Sequence, residues 1–341
     1  ILYIDNSYNT LLIMKLHKGK LLLMFQKYLI LIFILIFNSK VYSEPLVNSD
    51  WIEDKICKKE YIVLELNRSK NNYQISHIPC SVYTNFYDSG WRVSRNDIPL
   101  AMPEVEHLVE VIKNHGISNS HHVIISASGT GKYDAAEAAA IYFTFKYLGH
   151  EKVSILDGGF KEWKKKWDRD LETGFKKVNK GNFKAYVNKN ILANKSDVLK
   201  LIDKKGYLID ARSTDMYLGI NMSFPALRNG TISNSVNVPN EWLLKNDTLY
   251  FQDKEKLELI YNYSGIKKKE GIISFCNAGL ESALSWFVMS ELLNFPNNKL
   301  YEASIAEWSK NENLPMEQRF EILDQKSYLN GDDGFSMKPS N

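Results

Sequence analysis

The sequence predicts an α/β protein made of two similar halves, each a parallel sheet flanked by helices. Short apolar runs alternate with helical stretches through most of the chain, an alternation that is typical of parallel sheets covered by helices. The same order of segments also occurs twice, which indicates an internal repeat. With 341 residues, 44% of them hydrophobic, the chain is long enough for about two packed domains. The formal net charge of +3 does not suggest a nucleic-acid binder.

The first 43 residues predict an upstream stretch and a secretory signal peptide. From Met24 the sequence reads MFQKYLILIFILIFNSKVYSEP, with Lys27 ahead of the apolar run 28–37 and a cleavage site before Glu44. The apolar run is about half of the ~20 residues that span a bilayer. We therefore expect cleavage near Glu44 rather than a membrane anchor, and export to the periplasm of a bacterial cell.

The mature chain keeps three cysteines, Cys57, Cys80 and Cys276. An odd number in an oxidising compartment leaves at least one thiol outside any internal disulfide. The sequence permits a Cys57–Cys80 disulfide. However, the surroundings of Cys57 indicate a helix and those of Cys80 a loop, so we expect the two to lie apart.

The repeat can be followed element by element. Each half has a buried strand, a turn, a second strand that runs into small residues, a helix, and a final strand, turn and helix with Glu-Trp. The paired segments are YIVLEL and YLIDAR, ISHIPCS and GTISNSVNVP, HHVIISASG and GIISFCNAG, residues 135–149 and 283–294, and residues 152–167 and 298–310. We place the first domain at 44–168, a linker at 169–193, the second domain at 194–315 and a tail at 316–341.

The stretch ISFCNAGLESALSWF places Cys276 between a strand and the start of a helix. We expect the following loop to curl so that its N–H groups face the sulfur. Those amides and the helix N-terminus would favour the nucleophilic thiolate, and Gly279 would supply the sharp bend. At the matching place the first half has Ser128–Gly129 and no cysteine, which suggests one working site. The alternative is a buried structural cysteine.

Four motifs carry a family resemblance: SHIPCS, LDGGFKEW, LIDARSTDMYLG and CNAG. From about Leu46 to Trp308 the chain resembles the two-domain rhodanese family, sulfurtransferases of the thiosulfate and 3-mercaptopyruvate type. The loop that begins CNAG is similar to that of the exported bacterial branch. The resemblance implies tandem rhodanese-like domains, an inactive first repeat, a catalytic second repeat and a crevice between them.

The resemblance also implies a mechanism and a site. Cys276 would take a sulfane sulfur from thiosulfate or 3-mercaptopyruvate, hold it as a persulfide, and pass it to cyanide or a thiol by double displacement. Arg212 would hold the anionic donor, with Arg228 as a weaker second candidate. The substrate-binding loop would consist of Asn277, Ala278, Gly279, Leu280, Glu281 and Ser282. The partners would be a small sulfur donor and acceptor, with a protein thiol as a further acceptor, on a monomer that needs no cofactor or metal and has no lasting membrane association.

Two positions in the loop bear on alternative functions. Glu281 brings a carboxylate to a loop meant for an anion; we expect it to point to solvent, because an inward carboxylate would raise the pKa of the thiol and weaken thiosulfate binding. Ser282 stands where a cysteine phosphatase of the Cys-x5-Arg type has its arginine, which argues against phosphatase activity. A non-catalytic sulfur-carrier or binding protein on the same fold remains the alternative function.

Overall fold

Two five-stranded parallel sheets, one in each half of the chain, organise the protein. The computed structural model describes Lys27 and residues 43–129, 133–246, 249–268 and 271–319. The predicted signal peptide and nearly all of the predicted tail lie outside these residues. Within the described part of the chain, no helix is both long and apolar enough to cross a membrane.

The first sheet has the strand order β1-β7-β6-β2-β3, and every neighbouring pair is parallel. The strands β4 and β5 form a separate antiparallel hairpin. In chain order the elements are β1 (Leu46–Val47), α1 (Ser49–Glu53), β2 (Tyr61–Leu66), α2 (Lys70–Ile75), β3 (Val82–Thr84), β4 (Val93–Arg95), β5 (Ile98–Ala101), α3 (Val105–Asn114), β6 (His122–Ala127), α4 (Asp134–Tyr147), β7 (Val153–Leu156) and α5 (Gly159–Trp163).

The second sheet has the order β8-β13-β12-β9-β11, again all parallel, and so repeats the topology of the first. The elements are a 3-10 turn (Lys189–Ile191), β8 (Leu192–Ala193), α6 (Lys195–Asp203), β9 (Tyr207–Asp210), α7 (Thr214–Leu218), β10 (Thr231–Ile232), β11 (Ser235–Asn237), a 3-10 turn (Asn240–Leu243), α8 (Lys254–Tyr263), β12 (Ile272–Phe275), α9 (Leu280–Phe287) with a π-helical extension (Val288–Leu292), β13 (Asn298–Tyr301), α10 (Ser304–Trp308) and β14 (Met316–Glu317). The strand β14 pairs with β10.

Strand register shows which residues of the two halves correspond. Glu65 lies opposite the residue before Ala127, and Asp210 lies opposite the residue before Cys276. Since these two carboxylates lie at equivalent positions near the ends of β2 and β9, Ala127 is the counterpart of Cys276. The sequence comparison, which placed Ser128–Gly129 there, was out of step by one residue.

The two halves meet through equivalent helices, α4 and α9. Phe143 and Trp286 pack edge to face with ring centroids 4.9 Å apart, and Tyr142 and Phe287 do the same at 4.8 Å. Small alanines fill much of α4 and are almost all buried, which lets the two helices approach closely. One hydrophobic core therefore runs through both halves.

The expectation that Cys57 and Cys80 lie apart was wrong. The helix α1 ends at Glu53, so Cys57 belongs to the turn that leads into β2 rather than to the helix. Cys80 lies in the turn that leads into β3, and β2 and β3 are neighbouring strands. The two turns meet at one edge of the sheet, and the cysteines form a disulfide with a Cα–Cα distance of 5.2 Å.

The segment predicted as a linker, 169–193, lies along the first half of the molecule. Glu172 forms an antiparallel bridge with His77, and the N–H of Tyr186 donates to the carbonyl of Leu148 at 2.8 Å. The low periodicity of the linker sequence reflects extended chain that is held by backbone hydrogen bonds.

Candidate active site

Cys276 follows β12 directly and has no solvent-exposed surface. It is a free thiol. Its N–H donates to Ser304 Oγ at 3.0 Å, and its carbonyl accepts the N–H of Ile305 at 3.1 Å. The first two residues of α10, which follow the neighbouring strand β13, therefore hold the backbone of Cys276 in place.

Gly279 forms the bend of the loop and precedes α9. Its φ is +78°, in the left-handed region that disfavours residues with a side chain. A Cβ at this position would lie 2.6 Å from the carbonyl oxygen of Glu302. Both conformation and space require glycine, as the sequence led us to expect.

The predicted cradle around the sulfur is present. Ser282 Oγ donates to Cys276 Sγ at 3.3 Å, and the backbone N–H groups of Ser282 and Ala278 also hydrogen-bond to the sulfur. These donors lower the pKa of the thiol, but burial and the nearby Glu281 carboxylate outweigh them and raise it to about 11. This net effect is opposite to our expectation that the loop favours a thiolate.

Glu281 does not point away into solvent, which corrects the expectation from the sequence. Its half-buried side chain lies close enough to Cys276 for the two groups to influence each other's pKa. Burial and the charge of Asp210 raise the pKa of Glu281 to about 7, while Arg212 and Cys276 act to lower it. The thiol and this carboxyl group thus form a coupled pair at the centre of the loop.

Arg212 is buried next to the loop and is held by the carboxylate that ends β9. Its Nε lies 3.0 Å from Asp210 Oδ1, and its Nη2 lies 2.6 Å from Asp210 Oδ2. Burial opposes the charge of Arg212, but Asp210 raises its pKa, with smaller contributions from Cys276 and Glu281. One edge of the guanidinium remains towards the loop, where Nη1 lies 3.4 Å from Asn277 Oδ1. Asp210 occupies Nε and Nη2, the edge of the guanidinium that could make a two-pronged contact. Arg212 can therefore offer an anionic ligand its positive charge and a hydrogen bond from Nη1.

Arg228, the second candidate for anion binding, has a structural role instead. Its guanidinium donates to four backbone carbonyls near the end of the second half, those of Trp308, Ser309, Asn311 and Leu314, at 2.8–3.1 Å. With its donors committed in this way, it is not available to a sulfur donor.

The sequence reading missed two serines that hold the loop. Ser304 binds the N–H of Cys276, and Ser223 Oγ accepts from Asn277 Nδ2 at 3.0 Å. A signal for Ser304 existed, because it replaces the second glycine of the repeated LDGG motif, Gly159. Both residues have positive φ, +51° and +57°. Ser223 lies in an insertion without a counterpart and gave no such signal.

The remaining predicted loop residues, Ala278 and Leu280, also lie beside the sulfur-bearing turn and are partly exposed. Among the described residues, no group of three His, Cys, Asp or Glu side chains is arranged to hold a metal ion. The chemistry that the described groups can supply is that of a nucleophilic sulfur in a nest of hydrogen-bond donors.

Two parallel sheets of equal topology, with one cysteine loop at the carboxyl end of a central strand, define a tandem α/β protein with a single thiol site. The model of the rhodanese-like domain matches residues 48–166 and 194–311. The chain therefore belongs to the rhodanese family, and the predicted fold of tandem rhodanese-like domains is confirmed.

Named relatives and solved structures agree with this assignment. The chain is 29% identical to the sulfur carrier protein TtuD of Thermus thermophilus, over 81% of this chain and 97% of that one. It is also 29% identical to a protein of Haloferax volcanii named as a putative thiosulfate sulfurtransferase, over 82% and 99%. The fold matches SseA of Escherichia coli, a 3-mercaptopyruvate sulfotransferase, with a TM-score of 0.67, 24% identity and coverage of 77% and 99%. Tum1 of Saccharomyces cerevisiae gives 0.69 with 16% identity and coverage of 81% and 99%.

Proposed function

We propose that the protein is a sulfurtransferase that carries a sulfane sulfur as a persulfide on Cys276. One observation carries the proposal: a free cysteine ends a central strand inside a ring of N–H and O–H donors, in the second of two rhodanese-like domains. The names of the relatives, which include thiosulfate sulfurtransferases and a sulfur carrier, support the same chemistry.

The reaction has two displacement steps. In the first, Cys276 sulfur attacks the sulfane sulfur of the donor; an S–S bond forms at the cysteine and the donor's bond to that sulfur breaks. Thiosulfate releases sulfite with the electron pair, and the thiol proton passes by way of Glu281 to solvent. 3-Mercaptopyruvate releases the enolate of pyruvate, which takes up a proton. In the second step cyanide or a thiolate attacks the outer sulfur and Cys276 leaves as the thiolate.

The hydrogen-bond donors are better suited to the persulfide than to the resting thiol. A persulfide places its negative charge one atom further out, among the N–H groups of Ala278 and Ser282 and close to Arg212. The resting thiol is protonated at neutral pH, since its pKa is raised to about 11. Proton loss therefore accompanies donor binding, and the Glu281 carboxylate, which acts on the thiol at close range, is the adjacent proton acceptor.

Glu281 bears on the choice of donor. A dianion such as thiosulfate must bring its charge next to this carboxylate, and like charges at close range repel. 3-Mercaptopyruvate carries its carboxylate three bonds from the sulfur and can keep it at the Arg212 side of the loop. We therefore propose 3-mercaptopyruvate, or a persulfide of similar low charge at the sulfur, as the preferred donor.

The test is thiocyanate formation from cyanide by purified residues 44–341, with thiosulfate and 3-mercaptopyruvate compared as donors. Turnover that disappears in Cys276→Ser, with unchanged thermal unfolding, is the expected result. Turnover that survives in Cys276→Ser would refute the role of Cys276.

A sulfur-carrier role is the second candidate, and the burial of Cys276 is the observation that favours it. A thiol without exposed surface suits a partner protein that opens the loop on docking. Mass spectrometry after exposure to each donor separates the two roles. A stable gain of one sulfur atom without thiocyanate turnover would support the carrier, and rapid turnover would support the enzyme.

Export of the protein remains a proposal. The signal-like sequence before Glu44 supports it, as does the Cys57–Cys80 disulfide, because disulfides persist mainly in oxidising compartments. Fractionation of the source cells, with a thiol-reactive mass tag applied to the periplasmic and cytoplasmic pools, tests it. A reduced, untruncated protein in the cytoplasm would contradict export.

A further inference from the structure

One buried carboxylate of the second half is held by the first half. Glu302 Oε1 accepts the N–H of Met102 at 2.6 Å, and the Nε of Arg92 lies 3.8 Å from the same oxygen. Glu302 is 8% exposed and Arg92 is 5% exposed. The pair therefore crosses from one repeat to the other with almost no contact with water.

Arg92 is itself fixed rigidly within the first half. Its Nη1 donates to the carbonyl of Trp91 at 2.7 Å and to Thr144 Oγ1 at 3.1 Å, and its Nη2 donates to the carbonyl of Ala140 at 3.1 Å. Thr144 and Ala140 belong to α4, the helix that packs against α9. The charge presented to Glu302 is thus anchored to the interface helix.

On its other side, Glu302 supports the cysteine loop. The carbonyl of Glu302 lies where a side chain at position 279 would have to be, so Gly279 rests directly on this backbone. The residues that follow Glu302 hold the loop by three hydrogen bonds: Ser304 to the N–H of Cys276, Ile305 to the carbonyl of Cys276, and Ala306 to the carbonyl of Asn277 at 2.9 Å. Displacement of Glu302 would displace all these contacts together.

The first half contains the same arrangement without the arginine. Asp157 is the counterpart of Glu302 in the repeated motif, and it accepts the N–H of Phe251 from the second half at 3.0 Å. Among the described residues Asp157 forms no ion pair with an arginine; the charge that acts on it is that of Lys245, which opposes the rise in its pKa caused by burial. Of these two equivalent carboxylates, Glu302 is the one that has a buried arginine beside it.

We propose that Arg92 is a positioning residue for Cys276, contributed by the repeat that lacks a cysteine. It holds the Glu302 carboxylate, and through it the backbone on which the Cys276 loop rests. The proposal rests on Cys276 being the sulfur-transferring group, as argued above.

The test compares Arg92→Met, Glu302→Gln, the double variant, and Asp157→Asn as the matched control. Glu302→Gln keeps an acceptor for the Met102 N–H while it removes the charge, so it decides the question should Arg92→Met fail to fold. Two readouts are taken on folded protein: kcat and KM with 3-mercaptopyruvate, and the rate at which iodoacetamide alkylates Cys276.

Each single variant should lower kcat about tenfold with KM changed less than about twofold, while alkylation becomes at least about fivefold faster because the loop exposes the thiol. The double variant should lose about as much kcat as either single variant, because both residues act through one contact, and Asp157→Asn should match the parent. Single variants that fold and keep both parental rates would overturn the proposal, as would an equal effect of Asp157→Asn. Alkylation needs no sulfur donor, so the positioning role can be judged even when every donor fails and the proposed function falls.

Discussion

The two halves of the molecule share one sheet topology and differ at the tip of one strand. At that tip the first half has Ala127 where the second has Cys276, and Asn67 where the second has Arg212, two residues beyond the equivalent carboxylates Glu65 and Asp210. Among the described residues Glu65 forms no ion pair, and burial raises its pKa to about 8, while hydrogen bonds from Ile78 and Ser81 and the charge of Lys164 act to lower it. The same sheet topology therefore occurs with and without the thiol, the buried cation and the hydroxyl donor, and the proposed site depends on these groups rather than on the sheet.

The largest expected effect comes from removing the buried cation. Arg212→Met leaves Asp210 as an unpaired buried charge and should cost about 3–5 kcal/mol of stability. Sulfur transfer should also fall at least about a hundredfold, since the persulfide loses its nearest positive charge. Thiocyanate assays and thermal unfolding would measure the two effects.

Arg228, a partly buried arginine that is bound to backbone carbonyls, provides the control for this variant. Arg228→Met should lower stability by loss of its carbonyl contacts, yet keep the turnover of the folded fraction. Equal losses of turnover in Arg228→Met and Arg212→Met would show that Arg212 acts only through stability. The counterpart change, Asn67→Ala, should leave turnover unchanged.

The second effect concerns the Cys57–Cys80 disulfide, which lies within the first half. Cys80 has φ +60°, and its counterpart in the second half, Asn234, has φ +65°, so the turn is kept but the cross-link is not. Replacement of both Cys57 and Cys80 by serine should cost about 3 kcal/mol, because the disulfide closes a loop over a sequence separation of 23. Urea denaturation should show the loss, while kcat stays within about twofold of the parent. A tenfold fall in kcat of the folded variant would mean that the disulfide supports the site.

The third effect concerns the charge of Glu281 beside Cys276 and how it changes with pH. Glu281 is ionised above its pKa of about 7 and then raises the pKa of the neighbouring thiol. Thiosulfate turnover relative to 3-mercaptopyruvate turnover should therefore fall as pH rises through 7. In Glu281→Gln the ratio should become flat, and the pH profile of Cys276 alkylation should shift about one unit downward, or about tenfold in rate at fixed pH.

An exposed glutamate far from the loop, replaced in Glu255→Gln, is the matched control and should leave both profiles unchanged. Should the donor ratio stay constant with pH in the parent protein, Glu281 would have no part in selecting the donor.

The smallest effect is expected when a cysteine is placed in the first half instead of the second. Ala127→Cys in a Cys276→Ser background restores a thiol at the equivalent tip. We expect no detectable thiocyanate formation, because Asn67 brings no positive charge and Gly159 no hydroxyl to that position. Turnover in this variant would show that the scaffold alone activates a cysteine, against the lesson of the comparison.

The sequence was sufficient for the fold and for the position of Cys276 between a strand and the start of a helix. The repeat could be read because equivalent segments keep their order and their apolar character, and Gly279 could be read because a tight bend leaves few residues to choose from. Hydrophobic pattern and turn chemistry are local properties of the chain, and they survive in a single sequence.

The errors have a common physical origin. The Cys57–Cys80 disulfide, the inward position of Glu281 and the carbonyl contacts of Arg228 each depend on which turns meet in space. A side chain's direction at a helix start is set by packing against distant strands, and periodicity contains no information about it. Ser304 was partly predictable. The sequence shows that it replaces Gly159 in the repeat, but it does not show that its hydroxyl accepts the N–H of Cys276.

The contacts between the halves are reciprocal, and this has a consequence for how such a molecule can change. The N–H of Met102 donates to Glu302, and the N–H of its counterpart Phe251 donates to Asp157. The helices α4 and α9, which pack against each other, are also equivalent elements of the two halves. This is the form of an isologous interface, in which a single patch binds a copy of itself about a two-fold axis. Because both copies belong to one chain, their sequences need not be identical. Cys276, Arg212 and the Cys57–Cys80 disulfide can therefore each occur in one half alone. The protein is in this sense a dimer whose partners can no longer separate, and whose asymmetry is encoded in one sequence.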